Sequence, residues 1–196
     1  MLYIFDEADK LTNVSMERLS DERRAKANNY RSEQKRALSV IVYLLLRLAL
    51  SEEYDIDKAV EFEYSNKGKP FLRDYPNIYF NLSHSKSTAA CVVSDKKCGV
   101  DVQQIVPVSD AVAKRVLTSK EYKGFLESKI PEEYFCEIWT IKESFLKQSG
   151  QGISTKLRDL SAEAVTDRTI YRGKDYFCCV TGKNMQVRKV GRDEIE

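Results

Sequence analysis

The chain has 196 residues, 42% of them hydrophobic and 32% charged, and its 32 Lys and Arg against 30 Asp and Glu leave a net charge of +2. That balance describes a globular protein long enough to bury a core. It provides no overall field of the kind that draws nucleic acid or a membrane surface.

Residues 2–5, followed by a polar tail, predict an edge strand. The opening, MLYIFDEADK, lacks a basic region and carries acids too early for a signal peptide. From Ser20 to Arg36 the chain is crowded with charge, including Arg23, Arg24, Lys26, Arg31, Lys35 and Arg36. This reads as a solvated helix face partly compensated by Asp21, Glu22 and Glu33. A helix follows from Glu33 to Leu50, apolar almost all round and therefore sandwiched between layers. Its apolar run, SVIVYLLLRLAL, is short and broken by Arg47, so it predicts a buried helix and not a membrane span. The expected location is the cytoplasm. Strands are expected at 59–64, 78–83, 88–94 and 98–105, with turns at KGKP (67–70) and YPN (75–77). Helices are expected near 109–117 and 119–128. The clearest helix opens on Pro131, Glu132 and Glu133 and stops at Gly-Gln-Gly, 150–152. Strand-like runs at 157–164, 168–173, 175–181 and 185–190 close the chain. Each half thus shows a long helix followed by strands, which predicts an α+β fold of two similar halves, 1–98 and 99–196. The five scattered cysteines, Cys91, Cys98, Cys136, Cys178 and Cys179, form no Cys-x-x-Cys pair, and there is a single histidine. A structural zinc site and a disulfide framework are both disfavoured.

Three segments carry chemistry. In FNLSHSKS (80–87), His84 stands between Ser83 and Ser85. Neighbouring strand residues point to opposite faces, so Ser83 and His84 do not form a nucleophile–base pair. Ser85 lacks the Gly-x-Ser-x-Gly elbow. The alternative is that these groups donate hydrogen bonds to an anion. In CGVDVQQ (98–104), alternation places Val100 and Val102 on one face and Asp101 and Gln103 on the other. In FCEIWTIKESFLKQSGQG (135–152), Phe135, Ile138, Trp139, Phe145 and Leu146 form the apolar arc. Glu143 and Lys147 lie together just off its edge, with Thr140 beside them. A surface Glu–Lys pair of this spacing is common and stabilises a helix by only about 0.3–0.5 kcal/mol. This pair borders the core, however, and Lys142 falls inside the apolar arc, where it needs an anionic partner or a route out along its stem. An acid on a strand, an acid and a lysine on a helix edge, and a His-Ser turn are compatible with a Mg²⁺–phosphate site, because magnesium takes one or two carboxylates plus substrate phosphates. Surface charge remains open on spacing alone.

The order GKP, FNLSHS, GVDVQ, WTIKESFLKQSGQG resembles the 4′-phosphopantetheinyl transferases of the larger, surfactin-synthetase-activating type, over roughly residues 20–155. The resemblance implies two similar subdomains related by a pseudo-twofold axis, each a small, mostly antiparallel sheet on a long helix. It implies coenzyme A in the cleft between them as donor, and an apo acyl or peptidyl carrier protein as acceptor. Asp101 and Glu143 would hold Mg²⁺, joined by Gln103, which stands where many relatives carry a second acid. Glu143 would also accept the serine proton, and Lys147 would face the pyrophosphate. Ser83 and His84 would bind coenzyme A phosphates, Gly68, Lys69 and Pro70 would line the adenine end, and Arg36 would face the 3′-phosphate. A monomer is expected, with neither nucleic acid nor membrane as partner. Two other readings share these residues: a different metal-dependent phosphoryl-transfer enzyme or phosphohydrolase, and a non-catalytic coenzyme A binding module. A nucleic-acid binder built on residues 23–36 lacks the stacking aromatics such a groove requires.

Overall fold

A computed structural model describes residues 1–11, 14–150, 157–182 and 184–195. In chain order it contains β1 (Leu2–Phe5), α1 (Asp21–Asn28), α2 (Glu33–Tyr54), β2 (Phe62–Tyr64), β3 (Pro70–Leu72), β4 (Tyr79–Ser85), β5 (Thr88–Ser94) and β6 (Gly99–Gln104). It continues with α3 (Asp110–Val116), α4 (Ser119–Glu127), α5 (Pro131–Ser149), β7 (Arg168–Arg172), β8 (Tyr176–Thr181) and β9 (Val187–Lys189). The fold is a mixed α+β arrangement with strand orders β4-β5-β1-β9, β6-β8-β7 and the small pair β2-β3.

Period-2 alternation sorts the strand side chains into two cores. Tyr3, Phe5, Ala89, Cys91 and Val93 pack on α2, whose buried face runs from Ala37 to Leu50. Leu2, Ile4, Ala90 and Val92 point the other way, against Val100, Val102, Cys178 and Val180 of the second sheet. Beyond that sheet, Cys179 and Ile170 meet Phe135, Ile138 and Ile141 of α5. The order of layers is therefore α2, four-stranded sheet, three-stranded sheet, α5. The two sheets share one apolar core between their inner faces.

Several expectations change. β1 is not an edge strand: it lies between β5, antiparallel, and β9, parallel. β9 therefore leaves the second half of the chain and joins the four-stranded sheet. The strand expected over 59–64 shrinks to Phe62–Tyr64, and Pro70 opens β3 instead of only ending a turn. The charged segment 20–36 is broken, with Ser20 capping α1 through the Arg23 N–H and Ser32 capping α2 through the Lys35 N–H. The strand expected over 157–164 is two 3₁₀ turns, Leu157–Asp159 and Ala162–Ala164. Their backbone groups are claimed by side chains: Leu157 O accepts from Lys142 at 3.1 Å, and Ala162 N donates to Glu121 at 2.8 Å. Phe145 is exposed and lies outside the apolar arc. Gly150 ends α5 in the left-handed conformation, φ +66°, while 151–152 lie outside the described residues. All five cysteines are free and buried. Among the described residues no helix is long and apolar enough to cross a membrane.

Lys142 has the anionic partner its position demanded. It is fully buried, and Nζ donates to Glu121 Oε2 (2.6 Å), Val116 O (2.8 Å) and Leu157 O (3.1 Å). This ties α5 to α3, α4 and the first 3₁₀ turn. Burial alone would raise the Glu121 pKa, but Lys142 and the N–H groups of Ala162 and Thr118 outweigh it and hold the carboxyl below its ordinary value. A depressed carboxyl stabilises the fold above its unfolded pKa, and that contribution is lost as pH falls through the folded value. Glu121→Ala should therefore cost about 3–5 kcal/mol in urea unfolding at neutral pH, because it strands a buried ammonium. The deficit should shrink in acid. A neutral-pH loss under about 1 kcal/mol, the range of a surface pair, would contradict this account.

Candidate active site

The site forms where the two sheets meet edge to edge. β4 and β6 are both terminal strands, and neither pairs with the other through backbone bonds. Instead, alternate side chains of β4 accept the free N–H groups of β6: Val100 N to Asn81 Oδ1 (2.8 Å), Val102 N to Ser83 Oγ (3.2 Å) and Gln104 N to Ser85 Oγ (3.3 Å). Buried backbone donors require such partners.

On this seam Ser83, Asp101 and Lys147 close a triangle. Lys147 Nζ donates to Asp101 Oδ1 at 2.7 Å and to Ser83 Oγ at 2.9 Å, and Ser83 Oγ donates to Asp101 Oδ1 at 3.0 Å. Every hydrogen-bonding capacity of the Ser83 hydroxyl is used. Asp101 is buried, and its second oxygen, Oδ2, has no hydrogen-bond partner. Leaving such an atom bare costs about 1–3 kcal/mol. Glu143 sits one helical turn before Lys147, half-buried, with no hydrogen bond to any described residue. Burial raises its pKa, the Asp101 charge raises it further, and Lys147 opposes both. Gln103 is half-buried on the strand face of Asp101, and its amide likewise has no described partner. Two carboxylates with uncommitted oxygens and an amide oxygen form a hard-donor set suited to Mg²⁺. Among the described residues there is no group of three or more His, Cys, Asp or Glu able to hold a metal.

Gly99 sets the spacing. A Cβ there would fall 2.0 Å from Ser144 O and 2.4 Å from Gln148 N, both backbone atoms of α5. Only glycine lets the helix press onto β6 closely enough for Lys147 to reach Asp101.

A cavity of about 240 Å³ opens beside the triangle, lined by Glu143, Lys147 and Asn81 and by the turn Lys67–Pro70. Gly68 allows this turn at φ +81°. The Lys69 stem lines the cavity, but its ammonium is turned away. It donates to Lys147 O (2.7 Å), Gln148 O (3.0 Å) and Cys98 O (3.1 Å), a cation on the carbonyl end of α5. A second cavity of about 220 Å³ shares Gly68, Pro70 and Leu82 with the first and is lined by Arg23, Lys26, Tyr30 and His84. His84 is exposed on the strand, on the opposite side from Ser83. Burial of the ring's surroundings and then Lys147 lower its pKa, with Asp101 pulling the other way, so the imidazole is neutral at pH 7.

Arg23 was read as part of a solvated face, yet it is 4% exposed. It donates to Ser39 O (3.1 Å) and lies over the rings of Tyr43 and Phe62, without a carboxylate ion pair among the described residues. Lys26, beside it, has its pKa lowered by burial and by Arg23, with Glu22 opposing. Arg36 does not line the cavity; its guanidinium donates to Tyr30 O at 3.3 Å. Of the residues named from sequence, the structure therefore gathers Ser83, Asp101, Gln103, Glu143 and Lys147 at one point. His84, Gly68, Pro70 and the Lys69 stem lie along the adjoining cavities. Arg23 and Lys26 were named only within the basic cluster, with Arg36 singled out instead, and Asn81 was not named. Only the isolated buried charge of Arg23 could have been suspected, and no periodicity marks it.

Strand and helix geometry thus bring the Lys147 ammonium between Ser83 and Asp101, with Glu143 one helical turn away. Residues 97–185 match the family described as the 4′-phosphopantetheinyl transferase superfamily. The chain is 32% identical over 152 residues to the 4′-phosphopantetheinyl transferase Sfp of Bacillus subtilis (strain 168), covering 76% of this chain and 68% of that protein. It is 32% identical over 165 residues to the 4′-phosphopantetheinyl transferase ffp of Bacillus subtilis, covering 83% and 72%. It is 33% identical over 153 residues to the 4′-phosphopantetheinyl transferase HetI of Nostoc sp. PCC 7120, covering 72% and 63%. The chain belongs to the 4′-phosphopantetheinyl transferases.

Gly99→Ala tests the close approach of α5. We expect a loss of about 1–3 kcal/mol in urea unfolding, the cost of overpacking against backbone that cannot turn aside. Unchanged stability would show that α5 does not rest on β6 as described.

Proposed function

We propose that the protein transfers the 4′-phosphopantetheine arm of coenzyme A to a serine hydroxyl of an apo acyl or peptidyl carrier protein, releasing adenosine 3′,5′-bisphosphate. The observation that carries this reading is the pair of uncommitted carboxylates, Asp101 and Glu143, joined by Lys147 beside a cation-lined double cavity.

The two cavities divide the donor's charge. Arg23 and Lys26, held close together without a carboxylate partner for Arg23, match the 3′-phosphate, with neutral His84 as a further donor and Arg36 supporting Tyr30 behind them. Gly68, Pro70 and the Lys69 stem line the nucleoside end. The pyrophosphate lies against Lys147, whose ammonium Ser83 holds in place. Asp101, Glu143 and Gln103 would hold Mg²⁺, whose charge would neutralise the pyrophosphate and favour departure of the leaving phosphate.

In the transfer, the carrier serine Oγ forms a bond to the phosphorus that bears the pantetheine arm. The bond from that phosphorus to the bridging oxygen breaks, and the electron pair leaves with the 3′,5′-bisphosphate. Glu143, half-buried beside Lys147, accepts the serine proton. Lys147 offsets charge developing on the leaving phosphate, and its bond to Asp101 orients it before substrate arrives. Gln103 supplies an oxygen without a charge, so the metal should be held less tightly than by a third acid.

The two units, each a small sheet with a long helix, are read as related halves divided near residue 98 and related by a pseudo-twofold axis, and a monomeric cytoplasmic enzyme contains the whole cleft. Nucleic acid and membrane are not among its partners on this reading.

Incubation with coenzyme A, Mg²⁺ and a panel of apo carriers should raise a carrier's mass by one phosphopantetheine group. Glu143→Gln should lower the rate by about 10²–10⁴-fold, the range for lost general-base catalysis. Gln103→Glu should lower the Mg²⁺ concentration giving half-maximal rate. No modified carrier across the panel would defeat the proposal, and an unchanged Mg²⁺ requirement would remove Gln103 from the metal site.

A further inference from the structure

Asn81 takes no part in the chemistry above, yet it is 93% buried and lines the cavity that holds Glu143 and Lys147. The complement of its 7% exposure is side chain and backbone locked in the seam. Its amide has one possible orientation. The Val100 N–H, 2.8 Å away, can only donate, so the oxygen Oδ1 must face it. Nδ2 is forced to the other side, and among the described residues it donates to nothing. Two donors fixed by strand geometry are thus left uncommitted at a cavity wall.

We propose that Asn81 is a substrate-reading residue: its Nδ2 donates to a hydrogen-bond acceptor on the nucleoside portion of the donor substrate. This rests on the coenzyme A reading of the site and deepens it. Position selects the nucleoside over the pyrophosphate. Asn81 and Ser83 share a face of β4, and one two-residue step of roughly 7 Å separates them. Ser83 lies at Asp101 and Lys147, where the pyrophosphate binds. Asn81 lies one step away, in the cavity walled by Gly68 and Pro70. A ligand that covers Nδ2 at the cavity wall without accepting from it would bury an unpaired donor and pay for it. The residue therefore discriminates between donors and does not merely hold them.

The experiment is calorimetric titration of two halves of the donor, adenosine 3′,5′-bisphosphate and 4′-phosphopantetheine, into wild type and Asn81→Asp. The substitution keeps an oxygen for the Val100 N–H and removes both N–H donors. We expect the bisphosphate to bind about 3- to 30-fold more weakly, while 4′-phosphopantetheine changes less than about twofold. Equal weakening of both ligands would mean a merely structural role, and unchanged bisphosphate affinity would mean no contact; either overturns the proposal. If Asn81→Asp does not fold, the wild-type side-chain amide resonances of Asn81 decide. They should shift and exchange more slowly with water on saturation with the bisphosphate, and resonances that stay put overturn the inference. Wild type that binds neither half would instead defeat the coenzyme A reading, and this inference with it.

Discussion

The structure depends on how two open sheet edges are joined. β4 and β6 face each other, but their backbones do not pair; Asn81, Ser83 and Ser85 reach across and accept the N–H groups of Val100, Val102 and Gln104. Side-chain acceptors hold the strands farther apart than a backbone ladder would, and they leave room between the edges for other groups. Lys147 and Asp101 occupy that room. A continuous sheet would have filled it with carbonyls and left no place for a ligand. The seam therefore satisfies an edge that would otherwise be an orphan, and it also fixes the position of the Asp101 carboxylate against Ser83 and Lys147.

The charges at the seam are deliberately incomplete. Asp101 Oδ2 lacks a partner, burial and then Asp101 raise the Glu143 pKa, and burial and then Arg23 lower that of Lys26. Each of these is a cost in the unliganded fold, and each would be relieved by a cation on the acidic side and a phosphate on the basic side. The contrast with Lys142 is instructive. That ammonium is buried more deeply, yet Glu121 and two carbonyls satisfy it fully, and it has no capacity left for a ligand. Two lysines five residues apart on one helix thus differ: Lys142 closes the fold, and Lys147 reaches the seam and lines a cavity.

Much of this was legible in the sequence, because it follows local periodicity. Alternation in Gly-Val-Asp-Val-Gln separated Asp101 and Gln103 from the valines that fill the inter-sheet core. The 3.6-residue period placed Glu143 and Lys147 together, and it set Lys142 inside the apolar arc, where it needed either an anion or a route out along its stem. What stayed hidden depends on residues distant in the chain. Glu121 cannot be chosen as the partner of Lys142 without the tertiary fold. The segment 157–164, expected as a strand, has its backbone captured by Glu121 and Lys142. β9 reads like the last strand of its own half and yet completes the sheet of the other. Phe145 fits an apolar arc on a wheel, but the helix rolls its Thr140–Ser144 side toward β6, where Gly99 admits it, and Phe145 is left outside. Arg23 looked solvated because its neighbours are charged; only the rings of Tyr43 and Phe62 show that it is enclosed.

Everything turns on whether the bare oxygen of Asp101 and the free carboxylate of Glu143 share one divalent ion next to a bound diphosphate. Manganese, a spin probe for magnesium, allows this to be counted directly by titrating the protein with Mn²⁺ in the presence of coenzyme A and reading free ion by electron paramagnetic resonance. Stoichiometric binding of a single ion by the native chain, abolished in Asp101→Asn, is the result this account requires. Equal uptake by both proteins would contradict it.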